Sequence, residues 1–130
     1  DPFTGADLSD SQFARVPKNN WRVSASYMFL SRDNVGDMTF RATWSGRDGF
    51  LDTDNVSNVE VQTMPSYDQL DLYLQMERLG GSGLNATLFV RNVTDNIELQ
   101  PLASVWPSLG FAAVTPGIGR QFGAQLRYNF

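Results

Sequence analysis

Two of the side-chain types that most often do chemistry are missing from this chain. Its 130 residues include no Cys and no His. Thiolate and imidazole metal ligands are therefore absent, and so are a disulfide framework and the Ser-His-Asp and Cys-His arrangements of nucleophilic catalysis. Carboxylates remain. The run Asp48-Gly49-Phe50-Leu51-Asp52-Thr53-Asp54-Asn55 spaces acidic groups loosely as a Ca²⁺ loop does. It lacks the D-x-D-x-D-G order and the Glu at the twelfth place, and reads as a solvated loop. Glu98 lies near Asp95, and Glu60 near Asp54, with nothing to make either pair a general acid and base. Asn55, Asn85 and Asn92 open formal glycosylation sequons, two of them in strand-like sequence. Phe50, Trp106 and Phe111 lie in connecting segments. Loop aromatics can stack on a sugar or a chelate ring, and loops on a rigid scaffold often carry function. These three are candidate ligand contacts, with packing among the loops as the favoured reading. No catalytic residue, cofactor or metal site emerges, and the expectation is a protein that is not an enzyme.

The composition points to strands. Charged residues make up 18%, below the roughly 25% of ordinary soluble domains. Aromatics reach 12% and there are 11 Gly, a mix that suits strands and tight turns. The net charge is −4, and Lys and Arg do not cluster, so a nucleic-acid partner is not expected. No run approaches the ~20 apolar residues of a membrane-spanning helix, and no basic-then-apolar leader begins the chain. The first residues are Asp1-Pro2-Phe3-Thr4, from which a removed leader or a start inside a longer chain is expected. A mean hydropathy of −0.28 decides little, because a membrane barrel hides its lipid signal in alternation.

That alternation is present. Phe122, Ala124, Leu126, Tyr128 and Phe130 alternate without exception with Gln121, Gly123, Gln125, Arg127 and Asn129. With 42% hydrophobic residues, chance gives this phase roughly once in a thousand. Four more segments repeat it. Trp21, Val23, Ala25, Tyr27 and Phe29 form one apolar set, and Met38, Phe40, Ala42 and Trp44 another. Leu70, Leu72, Leu74 and Met76 form a third, and Leu84, Ala86, Leu88 and Val90 a fourth. Met28, Tyr73 and Phe89 are the apolar residues on the polar side. The period of two predicts five strands, at about 21–30, 37–45, 67–77, 84–93 and 120–130.

The connections alternate in length. Residues 31–36 and 79–83 are short and rich in Gly, Asn, Asp and Ser, which suit tight turns. Segments 46–66 and 94–119 are long. The predicted fold is all-β, an antiparallel up-and-down meander of about five strands of a transmembrane β-barrel. Short turns would lie in the periplasm and long loops outside, with residues 1–16 also outside. The apolar face carries Trp and Tyr towards strand ends, as at bilayer interfaces. The other face carries Arg22, Arg41, Asp71, Glu77, Arg91 and Arg127, opposite charges that suit a water-filled or plugged lumen. Single-chain bacterial barrels start at eight strands, so five need partners. An open edge in lipid leaves unpaired backbone groups, at a total cost on the order of tens of kcal/mol.

Three stretches carry a resemblance. Val16-Pro17-Lys18-Asn19-Asn20-Trp21 is similar to the "(A/V)-P-(K/R)-(N/H/W)" start of a descending strand. Phe89-Val90-Arg91-Asn92-Val93-Thr94-Asp95-Asn96 looks like a "V-x-N-(V/L)-(T/F)-(D/N)" strand end. Residues 117–130 are similar to "P-G-R-x-(F/Y)-x-(L/V)-x-(L/Y)-x-(Y/F)-x-F", with an extra Ile118-Gly119 before Arg120. In this order the stretches resemble the TonB-dependent outer-membrane receptors, over nearly the whole chain. The resemblance implies a 22-stranded barrel in the bacterial outer membrane around an N-terminal plug. Residues 1–130 would be the C-terminal segment of that barrel, with the plug outside them. It implies uptake of a scarce nutrient (an iron-siderophore, cobalamin, haem or an oligosaccharide), with the TonB complex reached only through the plug. The implied partners are outer-membrane lipid, the upstream strands and the plug. Phe130, with Tyr128 and Leu126 before it, also resembles the signal read by the barrel assembly machinery. An extended strand with alternate apolar residues can be captured by strand addition. Two other readings remain at this point: a small soluble ligand-binding β-barrel, and a small outer-membrane pore or adhesin that closes by self-assembly.

Overall fold

The computed structural model describes residues 13–52, 63–104 and 109–130. Its strands are β1 (Asn20–Arg32), β2 (Gly36–Arg47), β3 (Phe50–Leu51), β4 (Thr63–Met64), β5 (Tyr67–Glu77), β6 (Leu84–Arg91), β7 (Leu99–Ser104), β8 (Ala112–Pro116) and β9 (Gln121–Tyr128). Five of them form one sheet in the order β1-β2-β5-β6-β9. Every neighbouring pair is antiparallel. The fold is an all-β antiparallel meander of five strands, open at both edges.

Register turns the sequence alternation into continuous rows. Ala25, Ala42, Leu72, Val90 and Phe122 lie side by side across all five strands. So do Tyr27, Phe40, Leu74, Leu88 and Ala124, and next to them Leu30, Met38, Met76, Ala86 and Leu126. The other face carries rows such as Met28, Thr39, Gln75, Thr87 and Gln125. A one-residue slip at any ladder would swap the two faces, so the pattern itself specifies the register.

Among the described residues nothing covers the apolar face. Val23, Tyr27, Phe40, Trp44 and Leu88 are exposed, Leu126 is 73% exposed and Phe122 82%. Among the described residues the buried apolar side chains are Phe50, Met64 and Ala86. Five strands about 4.8 Å apart, with about 25 Å of apolar length, make a face on the order of 600 Å². That is the upper end of what soluble monomers expose.

One expectation needs correction. Phe29 does not continue the apolar set of its strand. Met28 pairs with Thr39 and Leu30 with Met38, so Phe29 is the extra residue of a bulge. Leu30 takes the place in the apolar row. The bulge also brings Ser31 opposite Asp37, where its hydroxyl donates to Asp37 Oδ1 at 2.6 Å. Two adjacent apolar residues, Phe29 and Leu30, cannot share one face of a regular strand, and the inserted residue resolves the conflict.

The two short turns sit together at one end. Asp33-Asn34-Val35 joins β1 to β2, and Gly36 follows at φ +105°. A Cβ there would collide with the Glu77 and Arg78 carbonyl oxygens, so only Gly fits. A single 3₁₀ turn at Leu79–Gly81 joins β5 to β6. Gly80 N donates to Val35 O at 3.2 Å, and Arg78 Nη2 meets Asp37 Oδ2 at 2.6 Å.

The two long connections carry hairpins that alternation did not predict. β3 pairs with β4, and β7 with β8. Two-residue strands are too short to show a period, and the β7–β8 ladder shifts register at Leu102, next to Pro101. β6 ends at Arg91, ahead of the expected Val93, because Asn92 turns left-handed at φ 52°.

Candidate functional site at the loop-bearing rim

Beyond the last ladder pair of β5 and β6, the chain builds a polar knot around one side chain. Asn92 is 2% exposed. Its backbone N–H donates to Asp71 Oδ1 at 2.9 Å, and its Nδ2 donates to the Asn96 carbonyl at 2.7 Å. Its Oδ1 accepts from Asn96 N at 3.1 Å. Asn tolerates the left-handed region, and its short amide folds back on its own loop. Asn96 in turn donates to Asp68 on β5, and Gln69 donates to Asp71 Oδ1 at 2.6 Å. Asp95 Oδ1 accepts from Arg120 N at 2.8 Å just before β9. Segment 92–96 thus fastens β5 to the segment that leads into β9. Asp71, 7% exposed, is a buried acceptor here rather than an exposed charge.

Arg47, at the end of β2, joins the two long connections. Its guanidinium meets Glu98 Oε1 at 3.1 Å and donates to Leu99 O at 3.4 Å on one side. It donates to Pro65 O at 3.1 Å on the other. Its Cζ stands 4.7 Å from the Phe50 ring centroid. A planar donor fork suits this multiple use. Arg15 pairs with the buried Asp52 at 2.8 Å, so that carboxylate already has a protein partner.

A cleft of about 440 Å³ opens beside the knot. Tyr67, Gln69, Arg91, Glu98, Gln100 and Gln121 line it. These are amide, phenol, guanidinium and carboxylate groups, able to hydrogen-bond a polar solute but holding no nucleophile with an adjacent base.

The expected site residues fall as follows. Phe50 is 8% exposed, opposite Met64 and beneath Arg47, and its ring packs the loop. Phe111 is exposed immediately before β8. Trp106 lies outside the described residues, as do Asp54, Asn55 and Glu60. Leu126 and Tyr128 are exposed on the apolar face of edge strand β9, and Phe130 follows them fully exposed. Tyr128 and Phe130 meet edge to face with centroids 5.0 Å apart. At the loop end, Trp21 and Trp44 make a similar contact at 4.3 Å. The Trp44 ring nitrogen donates to Asp68 at 3.1 Å.

The two aromatic exceptions on the polar face also find their reason. Tyr73 pairs with Phe89, ring centroids 6.3 Å apart. Phe89 pairs with Gly123 on β9, where a Cβ would come within 2.7 Å of the ring. The ring lies over the bare backbone, as aromatics do when they cover a strand glycine. Sequence reasoning missed the Asn92 knot and the Arg47 hub. The signal for the first was the density of Asn and Asp in residues 92–96, a turn composition at a strand end.

In comparisons with known proteins, no family model, curated protein or solved structure matches the chain.

Proposed function

We propose that this chain is a closing segment of an outer-membrane β-barrel, of the kind found in TonB-dependent receptors that import a scarce nutrient. The observation that carries the reading is the apolar face: three unbroken rows across five strands, covered by none of the described residues, with aromatic pairs at both ends. Lipid is the solvent that favours such a face. The strands are 8 to 13 residues long, bracketing the 9–11 that cross a bilayer. Short turns gather at one end and long, hairpin-bearing connections at the other, as periplasmic turns and outer loops do.

Strand parity supports a longer parent over self-assembly. In a five-strand antiparallel meander the edge strands β1 and β9 run the same way. Copies joined head to tail would have to pair β9 with β1 in parallel, which breaks the all-antiparallel order of such barrels. An odd number of further strands is needed for closure, and 17 more would complete the 22 that the resemblance implies. A soluble barrel would need its apolar face inside, yet no described residue forms a second layer over that face.

In this reading the segment does no catalysis. It supplies closing strands, the rim cleft and part of the lumen wall, while energy coupling belongs to the plug. The test is the DNA upstream of the Asp1 codon. The proposal expects an open frame encoding a plug and an odd number of further alternating strands. A start codon and leader immediately upstream would overturn it.

A further inference from the structure

The polar face is far more basic than the chain as a whole. Net charge is −4, yet Arg22, Arg41, Arg91 and Arg127 all lie on this face, by parity with Ser24, Thr43, Thr87 and Gln125. Among the described residues none of the four makes an ion pair. The four ion pairs there use Arg15, Arg47, Arg78 and Arg120 instead. Among the described carboxylates near this face, two are paired with other cations and a third, Asp71, is a buried acceptor within the face. Asp37 is held by Ser31 and Arg78, Glu98 by Arg47, and Asp71 is buried accepting from Gln69 and the Asn92 N–H. Glu77 remains, sharing the groove at the turn end with Arg127.

The register sets the arginines at four levels. Arg22 is opposite Ser45 near the loop end, and Arg91 is opposite Gln121 one pair step further in. Arg41 shares the row of Tyr73 and Phe89, and Arg127 is opposite Asn85 near the short turns. At two residues per step the levels are separated by roughly 7, 7 and 13 Å along the strands. Three polar grooves among the described residues each hold at least one of them. Arg91 is in the rim cleft, Arg22 and Arg41 line a groove of about 410 Å³ with Ser24, Ser26 and Thr43, and Arg127 lines one of about 210 Å³. Two are also set beside aromatic rings: the Arg91 guanidinium lies 5.1 Å from the Phe89 centroid, and Arg41 is next to Tyr73 in register.

We infer that this face binds an anionic small solute through its guanidinium groups. The inference rests on the proposed barrel reading, in which the polar face is the lumen wall. It narrows the imported nutrient to one that is itself anionic or is carried by an anionic chelator. Guanidinium forks recognise carboxylate, phosphate and catecholate oxygens. Charges of one sign along a low-dielectric wall raise the local concentration of the opposite ion.

The test uses the full-length protein in detergent, extracted from outer membranes. Two probes of similar size are titrated against its fluorescence: a trianionic ferric tris-catecholate and an uncharged ferric tris-hydroxamate. The expected result is binding of the trianion alone, weakened as salt is raised. Combining Arg22→Gln, Arg41→Gln, Arg91→Gln and Arg127→Gln should lower affinity by about tenfold or more, from four screened attractions to a trianion. The matching four Arg→Lys changes should restore most of it. Equal binding of both probes, no binding of either, or a Gln variant with undiminished affinity would each overturn the inference. Extraction with the outer membrane and the folded-barrel mobility on unheated gels report on the barrel reading separately. Their failure sinks that reading, whereas failed binding by an intact barrel sinks only the inference.

Discussion

Asn92 combines two properties that few other residues offer together. It accepts a left-handed backbone, and its amide satisfies the loop that this backbone creates. Asn92→Ala should therefore cost about 2–3 kcal/mol, from strain in the left-handed region and from unsatisfied buried partners. Asn92→Gly should cost less, because it removes the bonds without the strain. Denaturant unfolding of the folded protein in detergent measures both, and equal losses would show that the left-handed turn contributes nothing. A second pair tests the facing of a single strand. Leu72 sits mid-row on the apolar face and Gln75 mid-row on the polar face. Leu72→Arg should cost ~2–4 kcal/mol, as for a cation at the bilayer midplane, and Gln75→Arg close to nothing. Similar costs in the same unfolding assay would reverse the assigned faces. At this scale the sequence was informative about facing and silent about contacts. The parity of Leu72 and Gln75 is visible in the chain, whereas the bonds from Asn92 to Asp71 and Ile118 join residues far apart in sequence.

Among the elements, β1 and β9 separate what a period can reveal from what it cannot. The flawless alternation of β9 placed its residues correctly because the strand is regular. In β1 the same logic assigned Phe29 wrongly, since a bulge shifts the phase after Met28. The adjacent pair Phe29-Leu30 was the available sign, and a period test averages over it. The hairpins β3–β4 and β7–β8 were hidden for a related reason: they are short, and one contains Pro101. The β6–β9 ladder carries its own prediction. Phe89 covers Gly123, so Gly123→Ala should destabilise through the clash and Phe89→Ala through lost packing, each by about 1–3 kcal/mol. Together they should cost less than the sum, because the smaller ring-less site accommodates the added methyl. A double-mutant cycle by denaturant unfolding measures the coupling, and strict additivity would mean that ring and glycine do not meet. At the opposite end, Gly36→Ala should destabilise by a similar amount, from its φ of +105° and the carbonyls behind it. Unchanged stability would remove that turn from the account.

For the molecule as a whole, the sheet lacks two things that a stable isolated domain would have. Among the described residues it has no second layer over its apolar rows, and it has two unpaired edges of the same direction. In water the first lack exposes an aggregating surface, and in lipid the second costs on the order of tens of kcal/mol. Both are met if lipid covers the rows and further strands cover the edges. In the proposed barrel the apolar face meets lipid while the polar face meets a lumen. The segment contains no Cys, so a nitroxide on one engineered Cys reports from one chosen place within it. Residues 38–44 of β2 in the full-length protein, reconstituted in bilayers, are the positions to scan, with oxygen and a water-soluble nickel chelate as relaxing agents. The account predicts a period of two with opposite phases: oxygen dominates at Met38, Phe40, Ala42 and Trp44, and the chelate at Thr39, Arg41 and Thr43. Chelate access at all seven positions, or both agents in the same phase, would contradict it.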